Sequence, residues 1–198
     1  MKCDGRLFPA TITILLWTSF LCAQEPSTAG NRAVWQRYVF DGGALSIMSP
    51  VRLDSVNTQT ENETIARQLT YMGSIGLVTF TTSYLILRTN ADTWSSSAKE
   101  RFVRGLWDGM ESSYKEQIKG DPNNWTVQLN EMKSATVSGL PATDFVYKVG
   151  PSAGNLRVVL SGHRCYLGSV FSSREDHSYV AEKFFRSFAI TAAQKHRE

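Results

Sequence analysis

Between Gly154 and Phe188 the chain reads GNLRVVLSGHRCYLGSVFSSREDHSYVAEKFFRSF, two apolar runs split by Gly162-His163 and followed by aromatic residues at helical spacing. A glycine-containing break between two such runs predicts a β-hairpin, because tight hairpin turns require positive φ. With Gly162 and His163 as the loop, Ser161 faces Arg164, Leu160 faces Cys165, Val158 faces Leu167 and Leu156 faces Ser169. One face is then apolar along its length and the other carries Arg157, Val159 and Tyr166; a slip of one residue would exchange them. The next stretch places Val180, Phe184 and Phe188 along one helix edge and Ala181 and Phe185 along the next, with Asp176 as the predicted N-cap. Such a stripe needs a sheet to cover, so the block predicts a domain closed by a helix laid on antiparallel strands.

The rest of the chain supplies the other layers. Trp35 to Phe40 and Ala44 to Ser49 flank Asp41-Gly42-Gly43, a second hairpin pattern, and Pro50 ends it. A polar connection is expected from Asp54 to Glu63, then strands from Thr64 to Met72 and from Leu77 to Leu87. The latter, LVTFTTSYLIL, is β-branched and aromatic throughout and reads as a central strand. A long helix follows, with Ala98, Phe102, Leu106, Met110, Tyr114 and Ile118 recurring every fourth residue and Val103 and Trp107 widening the stripe. Ser97, three residues before Glu100, is the expected capping box, and Gly120 and Pro122 stop the helix. Strands are then predicted from Thr126 to Val137 and from Ala142 to Val149, and from Asn155 through the C-terminal hairpin. The predicted class is α+β, an antiparallel sheet with two helices packed on it.

Both ends fall outside that domain. Lys2 and Arg6 precede an uncharged apolar run from Leu7 to Leu21, and Ala23 offers a small residue before Gln24, which is the pattern of a secretory signal peptide over residues 1–23. Residues 24–34 read as a flexible lead, residues 35–190 as one domain and residues 191–198 as a polar tail. The location expected is secreted or periplasmic after cleavage near Ala23, with membrane contact only if the signal stays uncleaved or Cys22 is lipidated. Loss of Lys2, Arg6 and Asp4 takes the formal charge from +3 to +2, without the basic face that phosphate neutralisation demands, so no nucleic-acid partner is expected. Loss of Cys3 and Cys22 leaves Cys165 alone, without an internal disulfide partner.

In order and spacing, the segments FDGGALSIMSP, GLPATDFVYKVG, LSGHRCYLGSV and FFRSF resemble the PsbP-like superfamily, which includes PsbP and DcrB-type small envelope proteins. The resemblance spans most of Trp35 to Ile190 and implies an α/β/α sandwich used for protein binding and assembly, with no catalytic residue set to carry over. The short secretory leader departs from the two-part transit peptide of the photosynthetic branch.

Catalytic and metal motifs are scarce. Metal-ligand spacings such as HxH, HExxH and CxxC are missing, as are the P-loop and GxSxG, so no cofactor or metal is expected. A Cys165–His163 dyad is weighed against simple burial of the thiol, since the hairpin register puts the imidazole in the loop and the sulfur on the apolar face. What remains are aromatic and arginine side chains of the kind enriched at interfaces: Trp35, Trp94, Trp107, Trp125, Arg157 and Tyr166 are the candidate partner surface, with ordinary core packing as the alternative for the tryptophans. The functional expectation is a non-enzymatic binding or assembly module for an envelope protein of unknown identity. The alternatives are a small-molecule or metal carrier with a sheet–helix cleft and, last, a hydrolase.

Overall fold

The computed structural model describes residues 34–56, 61–173 and 178–191. The signal segment, residues 24–33 of the lead, the tail from residue 192 and the predicted cap Asp176 lie outside those residues.

Strands β1 (Gln36–Phe40) and β2 (Leu45–Ser49) form the first hairpin, joined by a 3-10 turn over Asp41–Gly43. That turn passes through φ values of 50° at Asp41, 61° at Gly42 and 100° at Gly43, so the glycines are needed there and Asp41 takes a conformation few side chains adopt. A two-residue strand at the C-terminus, Ala189–Ile190, pairs with β2; it is the tenth strand in chain order and completes a small sheet ordered β1-β2-β10.

The large sheet contains β3 (Asp54–Val56), β4 (Ile65–Ile75), β5 (Val78–Leu87), β6 (Val127–Val137), β7 (Leu140–Val149), β8 (Ser152–Ser161) and β9 (Arg164–Ser172). Their order is β3-β4-β5-β9-β8-β7-β6, antiparallel throughout. The β8–β9 hairpin has the register expected from its alternation, with Leu160 opposite Cys165 and Leu156 opposite Ser169. The LVTFTTSYLIL run lies inside the sheet between β4 and β9. Strand β3 was hidden within the polar connection; three residues paired only with β4 carry no hydrophobic signal of their own.

Helix α1 (Ser96–Gln117) covers one face of the large sheet and α2 (Ser178–Ser187) the other. The α1 cap is Ser95, whose Oγ accepts from the Ala98 amide at 3.2 Å, so the Ser97–Glu100 capping box does not form. Two cores result. Leu106, Trp107, Met110 and Tyr114 of α1 pack on Phe145, Tyr147, Leu156, Cys165 and Phe171, while Leu45, Ile47, Phe184, Phe188 and Ile190 pack on Phe80, Val159, Tyr166 and Val170. Burial on both faces explains why β8 and β9 read as nearly continuous apolar runs. Close approach demands glycine within the core strands: a Cβ on Gly154 would lie 2.2 Å from Tyr147 Cζ, and one on Gly168 would lie 2.7 Å from the Phe188 ring.

Helix α2 packs on β2 and β9. The outer face of β6, β7 and β8 is left open beside it, and a cleft runs there.

Candidate functional site

The cleft is a groove of about 850 Å³ between α2 and the strands β6 to β8. Small side chains line it from both sides: Ala153 on β8, Ala181 on α2 and Ala189 just beyond that helix.

A charged pair lies on the sheet side. Asp144 and Arg157 are register partners across β7 and β8, so both side chains project from the same face. Arg157 Nε and Nη2 donate to Asp144 Oδ1 and Oδ2, each at 2.7 Å, in the bidentate geometry that matches a guanidinium fork to a carboxylate. Arg157 Nη1 donates to the Phe185 carbonyl at 2.9 Å, and the guanidinium lies 5.0 Å from the Phe185 ring centroid. Only 16% of the Arg157 side chain and 17% of Asp144 are exposed. The arginine therefore clasps the last turn of α2 to the sheet and fixes one wall of the groove. At the rim, Lys133 pairs with Glu131 at 3.3 Å and Arg186 pairs with Glu182, so each of these charges has an opposite neighbour. Such a surface can present hydrogen-bonding and apolar groups in fixed positions. Among the described residues no three His, Cys, Asp or Glu side chains gather as metal ligands.

The other candidate residues are scattered. Trp107, 2% exposed, stacks on Phe145 with centroids 5.9 Å apart and belongs to the α1 core, which removes it from any partner surface. Tyr166, also 2% exposed, is removed for the same reason: its ring is packed in the second core and its hydroxyl donates to Asp41 Oδ2 at 3.0 Å. Burial, and next the Asp41 carboxylate, push its phenol well above the usual tyrosine range. Arg164 Nε reaches the same Asp41 oxygen at 2.9 Å, tying the first hairpin to β9.

Three tryptophans are half-buried. Trp35 meets Phe80 edge-on in the α2-side core under the Lys183 ammonium, 4.5 Å from its ring. Trp94 packs on Phe102 beside α1 and donates through Nε1 to Thr89 Oγ1 at 3.0 Å. Trp125 lies against Gly150, where a Cβ would come within 2.6 Å of the indole. Trp35 and Trp94 therefore attach to opposite faces of the sheet, and of the six candidates Arg157 alone lines the groove.

Cys165 is fully buried opposite Leu160, and burial pushes its thiol far up. His163 is exposed in the turn with Nδ1 3.2 Å from the Leu87 carbonyl, so the two side chains occupy separate surroundings.

Asp144 and Asp41 were missed by sequence reasoning. A lone acid in the mostly apolar TDFVYKV strand was the available signal for Asp144, and its positive-φ turn concealed Asp41.

No family model matches the chain, and no curated protein matches it. Among solved structures it is similar to the solution structure of cyanobacterial PsbP (CyanoP) from Synechocystis sp. PCC 6803, with a TM-score of 0.55 and 12% identity over 83% of this chain and 98% of that one. It also matches a crystal structure from Bacteroides thetaiotaomicron VPI-5482 at a TM-score of 0.41 and 9% identity, covering 82% of this chain and 49% of that one.

Proposed function

We propose that this chain, whose fold is PsbP-like, is a secreted, non-enzymatic binding module that holds a segment of another envelope protein in the groove between α2 and β6 to β8. The observation that carries this reading is the groove itself. It is open, it mixes apolar walls with a polar side, and its Arg157–Asp144 pair is locked before any partner arrives. A preorganised surface of this kind loses less side-chain freedom on binding than a floppy one, which favours recognition. Secretion rests on the leader pattern at residues 1–23, and no helix among the described residues is long and apolar enough to cross a membrane.

The test places a photo-crosslinking residue at Lys133 or Glu182, both exposed at the groove, and at Arg101 on α1 as control. A reproducible protein adduct from both groove positions, absent from Arg101, is expected. If no adduct forms while a metabolite panel raises the melting temperature, the groove belongs to a small-molecule carrier instead.

A further inference from the structure

On the α1 side of the large sheet, away from the groove, a small cavity of about 20 Å³ lies between Met110 and the neighbouring strands. Gln68 on β4, Thr81 and Ser83 on β5 and Ser169 on β9 line it, all of them buried, beside leucines of the α1 core. A hydrogen-bond chain runs along one side of it. Gln68 Nε2 donates to Thr70 Oγ1 at 3.0 Å, and Thr70 Oγ1 lies 2.9 Å from Ser83 Oγ, its register partner across β4 and β5. The chain is open at one end: Gln68 is 5% exposed, and among the described residues its Oε1 has no hydrogen-bond partner. We infer that this cavity binds one internal water molecule, which donates to Gln68 Oε1, accepts from the Ser83 hydroxyl and so closes a ring through Gln68, Thr70 and Ser83.

Donor and acceptor bookkeeping leads to that ring. Thr70 Oγ1 already accepts from the Gln68 amide, so its own proton can go to Ser83, which leaves the Ser83 proton to donate onward. The water takes that proton and returns one of its own to Gln68, so every bond in the ring runs the same way round and strengthens the next. Turning the amide over reverses the direction of the ring and keeps it closed. Size and polarity select the ligand. A water needs roughly 10 to 15 Å³ and two to four polar partners, which this cavity supplies for one molecule. No charged side chain lines it, so an ion would lack a counter-charge, and an apolar guest would leave the buried amide oxygen unpaired.

The test is a high-resolution crystal structure of the full-length chain, with a second crystal pressurised with xenon, which enters dry apolar cavities. One ordered water is expected within roughly 2.7 to 3.2 Å of both the Gln68 amide and Ser83 Oγ, with no xenon in the cavity. In solution, Gln68→Met should lower the oxygen-17 relaxation dispersion of the solvent by the equivalent of about one long-lived water per chain. An ordered cavity without water density, xenon bound there, or equal dispersion from the two proteins would each overturn the inference. The crystals of the unaltered chain decide it even if Gln68→Met does not fold.

Discussion

Truncating the clasp at the groove, Arg157→Ala, should destabilise the domain by about 3 kcal/mol. The side chain makes two charge-assisted bonds to Asp144, a third to the Phe185 carbonyl and a contact over the Phe185 ring. Hydrogen bonds to charged groups are each worth roughly 1.5 to 3 kcal/mol net, and stranding a fully buried ionic partner costs ~3 to 5 kcal/mol. Asp144 keeps 17% exposure and the groove admits water, which places the loss at the lower end. Asp144→Ala should cost less, about 2 kcal/mol, because Arg157 retains the Phe185 carbonyl and ring. The two losses should not add: a coupling of ~1 to 2 kcal/mol is expected from a double-mutant cycle. Urea unfolding followed by tryptophan fluorescence measures this, with buried Trp107 as a reporter of the α1 core. Single losses under ~1 kcal/mol, or strictly additive ones, would refute the view that this pair fixes the wall of the groove.

Other outcomes follow from the same packing. Gly154→Ala places a methyl 2.2 Å from Tyr147 Cζ and should cost about 2 to 3 kcal/mol in the same urea assay. Ser95→Ala should cost about 1 kcal/mol through loss of the α1 cap, and Ser97→Ala distinctly less; equal costs would return the capping role to Ser97. Burial raises the folded-state pKa of Tyr114 and Tyr147, whose hydroxyls meet at 3.2 Å, and of Tyr166. The folded state therefore holds these protons more tightly, and the stability they contribute is complete below the unfolded value of about 10 and lost as pH rises through the higher folded values. Stability should fall above about pH 10 by up to ~1.4 kcal/mol per pH unit for each such phenol, and Tyr114→Phe should make that fall shallower.

What the sequence made legible was local. The β8–β9 register could be read because alternation around Gly162-His163 has one apolar solution, and the stripe from Phe102 to Ile118 specified α1 and its buried face. Three consecutive serines, Ser95 to Ser97, stand where that helix begins, and the capping pattern alone cannot choose among them; the geometry selects Ser95. The groove was illegible for a different reason. Arg157 and Asp144 are 13 residues apart, the Phe185 carbonyl is 28 residues from Arg157, and Asp41 meets Arg164 and Tyr166 across 123 and 125 residues. Such contacts exist only once strand order is set. Trp107 and Tyr166 resemble interface residues by type, and their burial follows from the second layer packed on each face of the sheet.

If the partner surface is the groove beside α2, binding should shield that groove and leave α1 untouched. Hydrogen–deuterium exchange of the chain, alone and bound to the protein crosslinked at Lys133, measures this. Protection confined to residues 133–138, 153–157 and 182–189, with α1 unchanged, is the predicted result. Protection over α1 and Trp94 with residues 133–138 unaffected would contradict it.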